Sequence, residues 1–248
     1  MLNAVTYSDF TPSEIARLYA DFDAPVAGLD CGKKCASHNP SGKPFCCDIC
    51  HAVPTLYQSE WRYVTANTNL WHEWKAEQCT DTPEEAAAEV KRLQDETPDT
   101  MVLAECLGPD YCQRDFRGLT CRQFPFFPYI DSEGTVLGLS YYWEYEEVCW
   151  VMSNLQVVTS EYKQQLLRTF EAVFERMPQE FENYKVHSEV MRDEFNEKRR
   201  AIPLLHRNGY EYKISTHNER KRRVPIKSFS KFGPYKIADR MLFPDEPG

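Results

Sequence analysis

The chain has 248 residues, of which 42% are hydrophobic, 27% charged and 13% aromatic, enough to bury a sizeable core and too apolar to stay unfolded. A mean hydropathy of -0.59, with no apolar run near the roughly 18 residues that a bilayer crossing requires, excludes a membrane-spanning helix. The formal charge of -9 conceals an asymmetry, because Lys198 to Arg240 carries thirteen Lys or Arg against three acids. The opening segment Met1 to Phe10 lacks the basic and apolar regions of an export signal, so a cytoplasmic location is expected.

Thr11-Pro12-Ser13-Glu14 is a capping box with proline at the first helical position, and Ile15, Leu18, Tyr19 and Phe22 recur at helical spacing. A short helix therefore opens the chain. Residues 28–44 are rich in Gly, Lys, Ser, Asn and Pro, which predicts irregular backbone under the first cysteines. Leu56, Trp61, Val64, Leu70, Trp71 and Trp74 give a helical pattern interrupted at Asn67-Thr68-Asn69, read as one helix and a turn. Thr82-Pro83-Glu84-Glu85 is a second capping box, and its helix is predicted to run to about Glu96.

Further on, Phe124 to Ile130 and Thr135 to Tyr145 flank Asp131-Ser132-Glu133-Gly134, which predicts a β-hairpin. From Ser160 to about Ala201 the apolar positions fit two helices hinged near Met177-Pro178. The sum is a mainly helical α+β domain over 1–202, with cysteine-bearing loops and a hairpin. A basic, proline-punctuated tail over 203–248 is expected to pack back on the acidic body rather than bind nucleic acid.

The chemistry lies in the ten cysteines. Cys31, Cys35, Cys46, Cys47 and Cys50 fall within twenty residues, Cys106, Cys112 and Cys121 within sixteen, while Cys79 and Cys149 stand alone. In a reducing compartment so many thiols are seldom kept for disulfides, and clustered thiolates prefer zinc, copper(I) or iron-sulfur clusters to hard cations. A zinc ribbon needs two C-x2-C hooks, and only Cys47-x2-Cys50 has that spacing. Iron-sulfur clusters tolerate looser spacing with four cysteines each. Cys47 to His51 also matches the C-x-x-C-H haem-attachment pattern, but such attachment normally follows export. Arg122 beside Cys121 is read either as a donor to a cluster sulfur or as a surface arginine at a turn. Cys149 is read either as a late ligand returning after the hairpin or as a buried free thiol. No P-loop, G-x-G-x-x-G, G-x-S-x-G or H-E-x-x-H pattern occurs.

The segment Cys46-Cys47-Asp48-Ile49-Cys50-His51-Ala52-Val53-Pro54-Thr55, with Ser59-Glu60-Trp61 and the later Cys106-x5-Cys112-x8-Cys121-Arg122-Gln123-Phe124-Pro125, resembles the CxxCxxCC cysteine-cluster family, the YkgJ-like zinc- or iron-chelating proteins. The resemblance spans about residues 28 to 130. It implies a metal site on Cys31, Cys35, Cys46, Cys47, Cys106, Cys112 and Cys121. Here Cys35 stands ten residues from Cys46 and Cys50 is an addition to the family pattern. With Cys50 and Cys149 the candidate metal set numbers nine, and Arg122 is the candidate cofactor contact. The function expected is an iron-sulfur protein, carrying a [4Fe-4S] cluster for electron transfer, redox sensing or support of a partner enzyme. The alternatives are a structural zinc protein with a protein partner, and a metal-dependent protein-modifying transferase.

Overall fold

The computed structural model describes residues 9–236; the start of the opening segment and residues 237–248 of the basic tail lie outside the described residues. The fold is α+β, as the pattern of elements predicts. Helix α1 (Pro12–Asp21) starts where the capping box places it: the Glu14 N–H donates to Thr11 Oγ1 at 3.3 Å, and the Thr11 N–H donates back to Glu14 Oε2 at 2.7 Å. The helix buries Ile15, Leu18 and Tyr19. Helix α2 (Cys31–Ala36) is N-capped by Asp30, whose carboxylate accepts from the Gly32 N–H at 3.1 Å. The first two cysteines therefore sit on a helix, in place of the irregular backbone that the glycine and lysine content predicts.

Strand β1 (Thr55–Tyr57) leads directly into α3 (Gln58–Asn67), and β2 (Trp71–Glu73) follows. Beyond α4 (Pro83–Glu96), β3 (Met101–Cys106) runs antiparallel between them in the order β1-β3-β2. This small sheet was not legible in the sequence, because three-residue strands are too short to show a period of two. Its register sets Trp71 opposite Cys106, so one cysteine is fixed at the end of a paired strand.

After the short helix α5 (Leu119–Gln123), β4 (Phe126–Ile130) and β5 (Val136–Tyr141) form the expected hairpin, with Gly134 at φ +84° closing its turn. The two long helices are α6 (Ser160–Arg176) and α7 (Pro178–Glu197), divided at Met177 as the proline predicts. Residues expected to form an appended tail instead supply β6 (Ile202–His206), β7 (Glu211–Ile214) and β8 (Lys221–Arg223), giving one sheet in the order β4-β5-β6-β7-β8. The basic run Lys221-Arg222-Arg223 is thus an exposed edge strand. Positive side chains there discourage pairing with another chain, which accounts for part of the charge asymmetry.

Strand β4 is buried on both faces. Phe126 and Ile130 join the main core with Tyr162, Leu166 and Phe170 of α6, while Phe127 and Tyr129 join a second core with Met191 and Phe195 of α7. Glu146 is 8% exposed and satisfied by Arg200, at 2.7 and 2.6 Å, and by the Tyr141 hydroxyl at 2.8 Å. No helix among the described residues is long and apolar enough to cross a membrane.

His187 of α7 is enclosed by rings, stacked on Trp143 at 5.0 Å and edge-on to Phe127 at 4.4 Å, and its Nε2 has no hydrogen-bond partner among the described residues. Burial pulls its pKa down from 6.5 to about 4. The unfolded chain then binds the proton more tightly than the folded one, so this group's stabilisation is complete above pH 6.5 and is lost as pH falls toward 4. Urea unfolding between pH 7 and pH 4 should show a loss on the order of 3 kcal/mol that is absent in His187→Phe. Equal pH dependence in the two proteins would refute the assignment.

Candidate metal centre

The cysteines are held by short elements tied down through buried polar contacts. The loop after α2 is pinned by Asp48, which is 7% exposed and accepts from Ser41 Oγ at 2.7 Å and Asn39 Nδ2 at 2.9 Å. Burial alone would raise this carboxyl, but those hydrogen bonds outweigh it and hold the pKa below the usual value. Cys46 and Cys47 lie on a 3-10 turn, Phe45–Cys47, with their sulfurs 3.9 Å apart. The segment bearing Cys112 is anchored by the Trp71 indole N–H, which donates to the Phe116 carbonyl at 2.8 Å.

Glu60 joins these pieces. It is 1% exposed, and its carboxylate accepts from the Tyr19 hydroxyl of α1 and the Leu119 N–H of α5, both at 2.8 Å, and from the Tyr57 N–H of β1 at 3.1 Å. Burial raises its pKa, while the three donors oppose the rise. Gly118, just ahead of α5, packs so tightly on β1 that an added Cβ would lie 2.1 Å from Leu56 Cδ2. Helix α5, which carries Cys121, is therefore seated against β1 by close packing and by one buried carboxylate.

All eight free cysteines face the space these elements enclose. A cavity of about 1380 Å³ is lined by Cys31, Cys35, Cys46, Cys47, Cys112, Cys121 and Cys149. An adjoining apolar pocket of about 210 Å³ adds Cys106 and shares Cys46, Cys47, Cys112 and Cys121 with the first. Burial pushes Cys31 up to about 11 and both Cys121 and Cys149 up to about 12, with neighbouring thiols adding to each shift. Within the vicinal pair the Cys46 thiol donates to Cys47, raising its own pKa and lowering that of Cys47.

Two candidate residues have other partners. Cys50 forms a disulfide with Cys79, which removes its sulfur from the ligand set and also removes the second free thiol of the C-x-x-C-H match. Cys50, read from the sequence as a candidate metal ligand, is instead paired with Cys79, which stands alone in the sequence. The chain turns at Asp48, whose Oδ1 accepts from the Cys50 N–H at 3.3 Å, and Cys50 emerges exposed beside Gln78 and Cys79. Arg122 lines the large cavity, but its guanidinium donates to backbone carbonyls of Arg117, Tyr19, Phe22, Arg114 and Asp115. Its five N–H groups are all engaged, so it braces the wall and has no donor left for a cluster sulfur.

The residue that sequence reading missed is Arg117. Burial lowers its pKa, but the charges of Cys121, Cys112, Cys47 and Cys46 more than offset this and raise it. Its one signal in the sequence was its place between Cys112 and Cys121.

Among the described residues, no three His, Cys, Asp or Glu side chains converge closely enough to hold a single ion as they stand. Compared with family models, curated proteins and solved structures, the chain matches none.

Replacing both Cys50 and Cys79 by serine opens a loop with a sequence separation of 29. It should destabilise the protein by about 3–4 kcal/mol. An unchanged unfolding midpoint would contradict this pairing. Glu60→Ala leaves three donors without an acceptor and should cost about 3–5 kcal/mol. A loss below about 1 kcal/mol in denaturant unfolding would show that the network does not hold the wall.

Proposed function

We propose that this chain is an iron-sulfur protein whose free cysteines hold the cluster inside the thiol-lined cavity. The single observation that carries the reading is that all eight free cysteines line two adjoining hollows and none is spent elsewhere in the fold. A lone zinc ion, with Zn–S near 2.3 Å, draws four sulfurs to within about 3.8 Å of one another. Cys46 and Cys47 stand that close, at 3.9 Å, but among the described residues no third ligating side chain converges with them closely enough to hold a single ion. That spread suits a polynuclear cluster, which bridges thiolates across its own body.

The apolar wall contributed by Leu70, Trp71, Phe124 and Tyr145 supports the same reading, because it would keep water from a cluster and so help to set its potential. The sequence resemblance to the CxxCxxCC proteins, which no family model matches, implies a metal site on seven of these thiols. We assign the protein to electron transfer, redox sensing or support of a partner enzyme.

The test is anaerobic purification with an absorption spectrum and analysis of iron, zinc and sulfide in one sample. A brown protein, with broad absorption near 400 nm and acid-labile sulfide matching its iron, is the expected result. A colourless protein with stoichiometric zinc and no sulfide would overturn the reading in favour of a structural zinc protein.

A further inference from the structure

We propose that the outer edge of β8 is a docking strand: an acidic, extended segment of a partner protein adds to the sheet beside it, with its carboxylates against Lys221, Arg222 and Arg223. This docking does not depend on what the cysteines hold.

The backbone offers the template. Across β7 and β8 the Ser215 N–H donates to the Arg220 carbonyl at 3.1 Å, and the Val224 N–H donates to the Glu211 carbonyl at 3.0 Å. Hydrogen-bonded pairs alternate along an antiparallel ladder, so Arg220, Arg222 and Val224 turn their backbone groups toward β7. Lys221 and Arg223 therefore turn their N–H and C=O groups outward. Strand β8 stands last in the order β4-β5-β6-β7-β8, and no strand among the described residues takes up those groups. All three of its residues are exposed.

The side chains state the charge of the occupant. Among the described residues, none of Arg220, Lys221, Arg222 and Arg223 forms an ion pair with an acid of this chain, although the chain as a whole is acidic. The acid beside them in sequence, Glu219, is drawn away to Arg192 at 3.2 Å and to the Ser132 N–H at 3.1 Å. Arg223 is held in place over the exposed Tyr210 ring, 3.4 Å from its centre. That stacking leaves the in-plane N–H groups of the guanidinium free for a carboxylate.

The register decides between an added strand and a polyanion lying across the surface. Lys221 pairs with Ile214 and Arg223 with Tyr212, which puts both on the sheet face that α7 covers, while Arg222 pairs with Lys213 on the opposite face. A nucleic-acid backbone resting on one face meets only part of this charge. A strand in the plane of the sheet sends alternate side chains to both faces and meets all of it. A second copy of β8 is excluded as the occupant, because pairing would set like charges opposite one another. The same cations that discourage a neutral or basic strand thus select an acidic one.

The test uses the full-length protein and a fluorescent peptide of about eight residues, with a Glu-Glu-Glu centre flanked by Val and Thr. Anisotropy should show saturable binding that weakens as salt is raised. The variant Lys221→Glu/Arg223→Glu, with circular dichroism unchanged, should bind at least about tenfold more weakly. The same peptide N-methylated at every central residue keeps its charge but loses its backbone donors, and should not bind the wild type. Amide exchange at Lys221 and Arg223, followed by NMR, should slow when the unmodified peptide is added. No binding at about 1 mM peptide overturns the proposal. So does equal binding of the N-methylated peptide or unchanged exchange at those two amides, and neither measurement needs a variant to fold. Tighter binding of a single-stranded oligonucleotide than of the peptide would overturn it in favour of a nucleic-acid surface.

Discussion

The buried carboxylate of Glu60 is the constraint on which the site geometry depends. A charge or a proton placed in the core must be matched by donors, and here the donors come from three separate elements: Tyr19 on α1, Tyr57 at the end of β1, and Leu119 at the start of α5. Satisfying one residue therefore fixes three elements with respect to each other. Arg122 completes the arrangement from the other side, lying over the Tyr19 ring at 4.5 Å and donating to the Tyr19 carbonyl. Cys121, one residue before it, inherits that rigidity. The cysteine wall is braced by carboxylate and guanidinium contacts.

Electrostatics then decide what the cavity can contain. Eight thiolates lining these hollows would carry a large negative charge, and the half-buried Arg117, on the wall of both, is attracted by several of them. Burial holds most of the thiols protonated well above their ordinary pKa of 9.0. A metal centre reverses the balance: it supplies the positive charge that low dielectric demands, and each ligating thiol releases its proton on binding. Loading should therefore be easier at higher pH, the ordinary behaviour of sulfur ligands in a dry site.

The long-period features were legible in the sequence and the short or non-local ones were not. Two capping boxes, the α6 and α7 helices and the hairpin around Gly134 each declare themselves within twenty or so residues, where periodicity and turn chemistry act. The strands β1, β2 and β8 are three residues each and carry no readable alternation. Strands β7 and β8 were masked by their charge, which marks a solvated edge as readily as a tail. At the site, the local clusters of cysteine were visible, but the role of Arg122 was misjudged because its partners, the carbonyls of Tyr19 and Phe22, lie a hundred residues away. Adjacency to Cys121 in sequence gave no information about which way the guanidinium points.

The disulfide separates Cys50 from the other candidate cysteines, although it stands only three residues from Cys47. Local backbone prevents it. Asp48 faces inward to Ser41 and Asn39, and the turn that follows, with the His51 and Ala52 N–H groups donating to the Asp48 carbonyl, carries Cys50 to the outside. There it meets Cys79, on the segment between β2 and α4. The bond ties the turn after Asp48 to the segment between β2 and α4, and it holds the Cys50 sulfur away from the cavity.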